Sequence, residues 1–498
     1  MAKRPNILII CADQLRTDAL GFHGNPICRT PALDALAAES IVFENAFSPN
    51  PICVPARAAI TTGNYSHLAT GFKANTGRIR DNQPKLAEHF ASFGYRTYAC
   101  GKLHYVPYSP PGQKRLLHGF GECDLTESGR LVGEFDPTYQ LRGLEDYIDY
   151  LADVGWCGYS RAHGVGNNDV RPCPSPLPEE HHVEHWVADR AIERLRQHRR
   201  SRADQPFLIW YGSPKPHSPY DPPAKYAAMY DPRQLPPPLG DESMLADRDP
   251  SIEVTRVSLA QTSLSPAARH VVKAYYYGLV SFQDAQIARV VQALKQEGVY
   301  DETIIVFTCD HGDLLGDFGA YFKGNFLNPS VRVPLVIKAP HSPAGAQRRQ
   351  LAGLQDILPT LAALAGCPLS QAVQGLDLSG ALLYDRAATR ELFYSQCMDS
   401  PRQSAMITDG RWKYCYAQWG ATEELYDLAG DPHELENLAR PGRGGLDELL
   451  EPWRKRLMDE ARRLKDAALL DGAGLVSSPL DRAAIAKLPI SGMGWRWY

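Results

Sequence analysis

The sequence predicts an α/β protein with a large, mostly parallel central sheet flanked by helices and a smaller C-terminal subdomain of antiparallel sheet plus helix. Three observations predict this architecture. Short apolar runs alternate with helical patterns along most of the chain, which is typical of parallel sheets covered by helices. The length of 498 residues accommodates one large domain and a smaller one. Near the C-terminus, strand-like runs joined by a hairpin signal replace the alternation.

Four apolar runs predict central strands, and each is followed at once by reactive side chains. The runs are rich in β-branched or aromatic residues, as strands are. Because ligands of parallel α/β sheets bind beyond the carboxyl ends of the strands, we expect the side chains that follow to converge on one cleft. The runs cover residues 6–10, 95–99, 206–211 and 303–307, and they precede Asp13 and Gln14, Lys102 and His104, Lys215 and His217, and Asp310 and His311.

A short helix is predicted to begin at the segment Cys53-Val54-Pro55-Ala56-Arg57. Pro55 suits a first helical position because it has no N–H, and Gly63 is a natural stop. Helical side chains lean toward the N-terminus, so we expect Arg57 to point back at Cys53. Free N–H groups at a helix start favour anions. The cysteine, or a group made from it, would therefore lie in an anion-attracting pocket.

The catalytic domain is predicted to span residues 1–380 and the C-terminal subdomain residues 381–498. Residues 105–180 are rich in glycine, proline and aromatic residues and show little periodicity. We expect them to form loops over the cleft, which is where substrate choice would reside. Helical patterns follow at residues 179–200 and 267–297.

The C-terminal subdomain is predicted from three strand-like runs, at residues 392–395, 404–407 and 412–416. Asp409-Gly410 between the last two is a strong hairpin signal. A helical pattern near residues 446–468 completes the subdomain.

The chain ends on an aromatic tail at residues 492–498. Docking of the tail on its own domain is the simpler interpretation. The alternative is a contact between the subunits of a homo-oligomer.

The composition is that of an ordinary globular enzyme, with 44% hydrophobic and 22% charged residues. The formal net charge of −4 gives no basic excess of the kind that marks nucleic-acid-binding proteins. No apolar run is long enough to span a membrane, and the short run after Met1 lacks a signal-peptide cleavage site. We therefore expect a cytoplasmic protein, with no nucleic-acid or membrane partner, whose 11 cysteines are reduced thiols.

The predicted cleft has the chemistry of a divalent metal site. Asp13, Gln14 and Asp310 offer hard oxygen ligands, and His311 adds a nitrogen. Such sites suit Ca²⁺, Mg²⁺ or Mn²⁺ better than soft metals. Taken alone, Asp13 could cap a turn and His311 could be a core histidine. Their occurrence together with Cys53 favours the metal site.

Four further side chains supply positive charge and transferable protons to the same cleft. Lys102, His104 and His217 follow predicted strands, and Lys323 lies downstream of the fourth strand. Cations near an oxygen that gains charge lower the barrier to bond breaking, and a histidine can give that oxygen a proton. An isolated surface lysine is usually only solvated, so the prediction depends on the whole set.

The cysteine-x-proline-x-arginine pattern resembles the signature of type I sulfatases, within the alkaline phosphatase superfamily. In that family the cysteine is oxidised to formylglycine, an aldehyde whose hydrate is the nucleophile. Further matches follow in the family's order along most of the chain. They are Asp13, the glycine-lysine-x-histidine run at 101–104, the proline-histidine-x-proline run at 216–219, Asp310 with His311, Lys323, and the C-terminal runs 424–428 and 431–438.

The resemblance implies a sulfuric ester hydrolase that cleaves a sulfate monoester of a small molecule or saccharide. It implies a divalent metal, with Ca²⁺ as the expected ion and Mg²⁺ or Mn²⁺ as alternatives, and a formylglycine-generating enzyme as maturation partner. The implied metal ligands are Asp13, Gln14, Cys53, Asp310 and His311. The implied catalytic residues are Cys53, Arg57, Lys102, His104, His217 and Lys323.

Two features of the motifs bear on the substrate. Gln14 stands where many sulfatases have a second aspartate, and choline sulfatases and phosphonate monoester hydrolases also carry glutamine there. The phosphonate enzymes replace the lysine-x-histidine pair with hydroxyl side chains, whereas this chain keeps Lys102 and His104. Sulfate is therefore favoured. The alternatives are a phosphonate monoester or phosphodiester hydrolase of the same superfamily and, outside enzymes, a catalytically dead sulfate-ester binder.

Overall fold

A mixed sheet of eight strands forms the centre of the molecule, in the order β4-β3-β5-β1-β6-β7-β2-β8. The computed structural model describes residues 4–105, 111–127, 136, 138–384, 386 and 389–489. Only β7 runs against its neighbours in this sheet, so the predicted mostly parallel sheet is confirmed. The strands are β1 Asn6–Asp13, β2 Ile41–Phe47, β3 Arg96–Gly101, β4 Glu122–Leu125, β5 Phe207–Pro216, β6 Thr303–Cys309, β7 Leu335–Lys338 and β8 Ala346–Gly353.

The middle strands β1, β5 and β6 are buried along their whole length, and each contains a continuous apolar run because both faces of the sheet are covered. Successive side chains of β1 point to opposite faces. Leu8 and Ile10 therefore pack in one hydrophobic core, and Ile7 and Ile9 pack in the other. Full burial of one such side chain stabilises the fold by roughly 1.5–3 kcal/mol.

Helices cover both faces of this sheet. The two long predicted helices are confirmed as Val183–Ser201 and Pro266–Gln296, and both contribute to the core on the Leu8 face. The shorter helices up to residue 383 are Pro31–Ala38, Cys53–Thr62, Ser66–Ala69, Leu86–Ser92, Asp146–Asp153, Ala224–Ala227, Pro250–Ser258, Asn328–Val331, Ile357–Leu364 and Ser379–Leu383.

The described residues between 105 and 180 include regular elements besides the predicted loops. They contribute β4 to the edge of the main sheet and the helix Asp146–Asp153. Tyr147, Ile148 and Leu151 of that helix are buried. These elements are too short, at four and eight residues, to give a clear periodic signal.

The predicted C-terminal subdomain is confirmed as a four-stranded antiparallel sheet with a helix, Leu446–Leu464. One strand, β12, was not predicted. The domain limits at residues 380 and 381 stay predictions, and the aromatic tail lies outside the described residues. The strands are β9 Phe393–Cys397, β10 Ser404–Thr408, β11 Trp412–Ala417 and β12 Thr422–Asp427, followed by the short pair β13 Leu470–Asp471 and β14 Gly474–Leu475 and the helix Arg482–Ile485.

None of the helices in the described part of the chain combines the length and the apolar character needed to cross a membrane. The cytoplasmic location stays a prediction.

The C-terminal sheet binds the chain just after Lys323 through a buried ion pair and its hydrogen bonds. Lys413 of β11 pairs with Glu434 at 2.5 Å, and both side chains are buried. Lys413 also donates to the carbonyl oxygen of Phe326 at 2.8 Å and to Oδ1 of Asn328 at 2.6 Å. Glu434 accepts from the backbone N–H of Asn328 at 2.6 Å. The second sheet therefore fixes the loop that carries Lys323.

The same sheet holds the segment before Cys53. The hydroxyl of Ser395 in β9 donates to the carbonyl oxygen of Ser48 at 2.8 Å, and the backbone N–H of Gln396 donates to that of Pro49 at 3.0 Å. The loop that carries Lys323 and the segment that leads to Cys53 thus both depend on the C-terminal subdomain.

We predict that Lys413→Met lowers the free energy of unfolding by about 3–5 kcal/mol, because it leaves the Glu434 carboxylate buried without its cation. Urea denaturation followed by fluorescence measures the change. Lys455→Met is the matched control, since Lys455 forms an exposed pair with Asp459 and its loss should cost less than about 1 kcal/mol. Equal losses of unfolding free energy in the two variants would contradict a stabilising role for the buried Lys413–Glu434 pair.

Candidate active site

The carboxyl ends of four neighbouring strands bring the predicted side chains to one edge of the sheet. The strands β3, β5, β1 and β6 are adjacent and parallel. Asp13 ends β1, and Asp310 directly follows the adjacent strand β6. Lys102 directly follows β3 and His217 directly follows β5. The convergence expected from the sequence is therefore present in the structure.

Cys53 joins this edge as the first residue of the helix Cys53–Thr62. Gly63 ends the helix in the left-handed conformation with φ 69°, as expected. Pro55 occupies the third helical position and not the first. This position is equally compatible with proline, because the first N–H groups of a helix have no intrahelical partner.

Four buried residues form a compact cluster with the donor set of a metal site. One ligand atom from each of Asp13, Cys53, Asp310 and His311 lies within 4.8 Å of the others. Nε2 of His311 is 3.1 Å from Sγ of Cys53. Nδ1 of His311 lies 3.0 Å from the carbonyl oxygen of Gly312, so Nδ1 carries the proton and Nε2 faces the cluster. This arrangement is usual for ligating histidines, and the carboxylates supply hard oxygens that fit a divalent cation.

Two cations balance the two carboxylates of the cluster. Nε of Arg57 donates to Asp310 at 2.8 Å, and Nη2 lies 3.6 Å from Asp13. Lys102 forms an ion pair with Asp13. All four side chains are buried, where an unpaired charge is costly. Arg57 therefore faces the carboxylates that share the cluster with Cys53, and within the described residues its Nη2 makes no hydrogen bond.

The charges around the cluster favour the ionised forms of Asp13 and Cys53. Burial opposes ionisation of Asp13, but Lys102 and its other cationic neighbours hold the pKa of that carboxyl well below its usual range. Burial also raises the pKa of the Cys53 thiol, yet Lys323 and His311 outweigh it and lower the pKa to about 7. Carboxylate and thiolate are the forms that bind cations.

A second group of contacts lies beside the cluster. Nζ of Lys323 is 2.5 Å from Oε1 of Gln14 and 2.9 Å from Nε2 of His217. Nδ1 of His217 lies 2.8 Å from the carbonyl oxygen of Ser218, so Nδ1 donates there and Nε2 accepts from the lysine ammonium. The backbone N–H of Gln14 donates to Asp310 at 3.1 Å, and its side-chain oxygen is turned toward Lys323.

Sequence reasoning missed three residues of the site. Glu127 accepts from the backbone N–H of His104 at 3.2 Å, and its Oε2 lies 3.9 Å from Nε2 of that histidine. Asn75 accepts from a backbone N–H in the first turn of the Cys53 helix at 2.9 Å. Asp313 accepts from the Gln14 side chain at 2.6 Å. Only Asp313 had a sequence signal, because it ends the run Asp-His-Gly-Asp after β6.

Three positions at the site hold non-glycine residues in the left-handed region. They are Gln14 with φ 66°, His104 with φ 51° and Phe322 with φ 73°. Each costs on the order of 1–3 kcal/mol and persists only where its surroundings enforce it. Such conformations cluster at functional sites.

A sequence model of the sulfatase family matches residues 5–367, which is well over half of the chain. The chain belongs to the sulfatase family. It is accordingly an enzyme, a sulfuric ester hydrolase. A second model, described as the C-terminal region of N-sulphoglucosamine sulphohydrolase, matches residues 316–462.

Individual relatives agree with this family. The sulfatase is 31% identical to an arylsulfatase of Clostridium perfringens over 87% of this chain and 90% of that protein. It is 30% identical to a choline-sulfatase of Rhizobium meliloti over 89% of this chain and 84% of that protein. Its fold is similar to that of a phosphonate monoester hydrolase of Agrobacterium radiobacter, with a TM-score of 0.75, 24% identity and coverage of 95% and 100% of the two chains.

The buried carboxylate of Glu184 binds the end of β5, which leads to His217. Oε1 of Glu184 accepts from the Ser213 hydroxyl at 2.6 Å and from the backbone N–H of Lys215 at 3.1 Å. Burial raises the pKa of the Glu184 carboxyl to about 7. The folded sulfatase therefore keeps a proton there that the unfolded chain releases at lower pH.

We predict that the Glu184 carboxyl lowers the free energy of unfolding by about 3 kcal/mol in total as the pH rises from about 4.5 to 7. The contribution falls because the folded state binds the extra proton in that window. Glu184→Gln should remove it, as measured by urea midpoints across the window. Glu193→Gln, on an exposed side chain of the same helix, serves as the control. Parallel profiles for Glu184→Gln and the unaltered protein would rule the explanation out.

Proposed function

We propose that this sulfatase hydrolyses sulfate monoesters of small molecules or saccharides through formylglycine made from Cys53 and a divalent cation, with Ca²⁺ as the expected ion. The proposed ligands of the cation are Asp13, Gln14, Cys53, Asp310 and His311. One observation carries the proposal: Cys53 lies within the buried cluster of carboxylates and imidazole, with Sγ 3.1 Å from Nε2 of His311.

The cation would act as a Lewis acid on an ester oxygen, and the aldehyde hydrate at position 53 would supply an oxygen nucleophile. Two buried cations of the chain would bind the sulfate group. Arg57 is fixed by its bond to Asp310, and its Nη2 is available to an anionic oxygen. Lys102 adds a second positive charge beside Asp13. These cations favour the negative charge that develops during ester cleavage.

His217 and Lys323 are proposed to serve the departing alcohol. The ammonium of Lys323 donates to Nε2 of His217 at 2.9 Å, so the pair holds a proton that can pass to a leaving oxygen. The same positive charge stabilises that oxygen as its bond to sulfur breaks. The pair is part-buried, which strengthens both effects relative to water.

His104 is proposed as the base that takes a proton from the group at position 53. It is buried at the start of the segment after β3. Glu127 accepts from its backbone N–H and holds a carboxylate near the ring. The Glu127 carboxylate, with Oε2 3.9 Å from Nε2 of His104, would balance the positive charge that the ring gains on accepting a proton.

The phosphonate monoester or phosphodiester hydrolase is the second candidate. The fold similarity and Gln14 favour it, whereas the retained Lys102 and His104 favour sulfate. The alternative of a catalytically dead sulfate-ester binder is set aside because the chain is a sulfatase enzyme.

Among sulfates, aryl, carbohydrate and alkyl esters are all proposed substrates. Maturation by a formylglycine-generating enzyme and assembly into a homo-oligomer are also proposals.

We predict that Cys53→Ala lowers kcat for a chromogenic sulfate ester by at least about 10⁴-fold, because the residue that becomes the nucleophile is gone. Cys28→Ala, which removes another buried thiol outside the cluster, should leave kcat within about threefold of the unaltered enzyme. Mass spectrometry of the peptide around position 53 should show sulfur replaced by an aldehyde oxygen in the active protein. Undiminished turnover by Cys53→Ala would refute the assigned nucleophile.

We also predict that kcat/KM for a 4-nitrophenyl sulfate exceeds that for a phosphonate monoester with the same leaving group by at least about tenfold, or ~1.4 kcal/mol. The reason is that Lys102 and His104 stand where the phosphonate enzymes have hydroxyl side chains. Cys53→Ala protein gives the background rate for each ester. A reversed ratio would favour the phosphonate hydrolase.

A further inference from the structure

Asp313 is a fully buried carboxylate that the proposed mechanism does not use. Its Oδ2 accepts from Nε2 of Gln14 and from the hydroxyl of Tyr220, both at 2.6 Å. Its Oδ1 accepts from the backbone N–H groups of Leu315 at 2.8 Å and Phe322 at 2.7 Å. Four neutral donors thus surround one buried charge, which is costly to bury and strongly bonded where it lies.

The donors to Asp313 belong to the segments that carry the leaving-group end of the site. Gln14 directly follows β1. Tyr220 lies three residues after His217, and Phe322 directly precedes Lys323. One carboxylate therefore joins the three segments whose side chains meet where Lys323 contacts Gln14 and His217.

Asp313 also determines which end of the Gln14 amide faces the site. An ionised carboxylate only accepts hydrogen bonds, so the amide nitrogen must point to Asp313. The amide oxygen then points to Lys323, 2.5 Å away. If the amide turned round, two acceptors would face each other at Asp313 and two donors at Lys323, and each unmade buried bond costs about 1–3 kcal/mol.

We propose that Asp313 is a positioning residue that turns the carbonyl oxygen of Gln14 toward Lys323, beside the metal cluster, and holds His217 and Lys323 in contact. This inference rests on the proposed function, in particular on Gln14 as a ligand and on the His217–Lys323 pair as proton donor. Partners behind a metal ligand typically change metal affinity or activity by about 10–100-fold when they are replaced.

The first test is Asp313→Asn, which keeps the shape and removes the charge. We expect the Kd for Ca²⁺ alone, measured by titration calorimetry, to rise by about 10–100-fold. We expect kcat to fall by a similar factor with a smaller change in KM, because the leaving-group pair acts mainly in the transition state. Asp317→Asn is the matched control, since Asp317 is a buried carboxylate of the same loop that pairs with Arg16.

The second test reverses the hydrogen-bonding pair with the double variant Gln14→Glu/Asp313→Asn. The new amide at position 313 can donate to the new carboxylate at position 14 and to the Tyr220 oxygen, while its own oxygen accepts from the Leu315 and Phe322 N–H groups. A side chain at 313 that served only to fill space would gain nothing from the second change. We expect calcium binding to return to within about tenfold of the unaltered enzyme.

Three outcomes would overturn the role of Asp313. They are Asp313→Asn binding calcium and turning over within threefold of the unaltered enzyme, Asp317→Asn losing calcium affinity to the same extent, and the double variant binding calcium no better than Asp313→Asn. If Asp313→Asn does not fold, the double variant decides: folded, calcium-binding protein supports the role, and its absence overturns it. Failure of the unaltered enzyme to bind calcium or cleave sulfate esters would instead contradict the proposed function, and this inference would fail with it.

Discussion

The structure depends on the pairing of two buried carboxylates with two buried cations at one edge of the sheet. Asp13 and Asp310 come from distant parts of the chain and are brought side by side because β1 pairs with β6 up to Ala12 and Cys309. Like charges this close repel strongly in a medium of low dielectric constant. Arg57 spans the pair from the Cys53 helix. The helix and the sheet edge are therefore fixed to each other by the same charges that would hold a cation.

The second sheet contributes to this arrangement although it carries none of the predicted site residues. It binds the segment before Cys53 through β9 and the segment after Lys323 through Lys413. Strand ends alone place Asp13, Asp310 and His217, whereas Cys53 begins a helix that directly follows a loop and Lys323 lies on a loop. Loops keep a defined position only where other elements bind them. The C-terminal subdomain is thus part of how the catalytic geometry is built.

Much of this arrangement was predictable from local patterns. The strands β1, β5 and β6 contain continuous apolar runs, and β3 is a mixed run of six residues. The meeting of their carboxyl ends at one edge follows from the rules of parallel sheets. The reversed strand β7 has only four residues, and β8 is polar along its first half, so neither gives a clear period. Glu127 and Asn75 were missed because hydrogen bonds between loops leave no trace in sequence spacing, whereas Asp313 was missed although it ends the run Asp-His-Gly-Asp after β6. The left-handed backbone at Gln14 and His104 is likewise imposed by tertiary contacts.

The burial of Cys53 bears on the proposed conversion of this residue to formylglycine. Cys53 is 1% exposed at the start of a helix whose residues are all buried, so an enzyme that bound this segment would reach it only while the polypeptide is unfolded there. The proposed conversion would therefore compete with folding in time, and a molecule that folded first would keep its thiol.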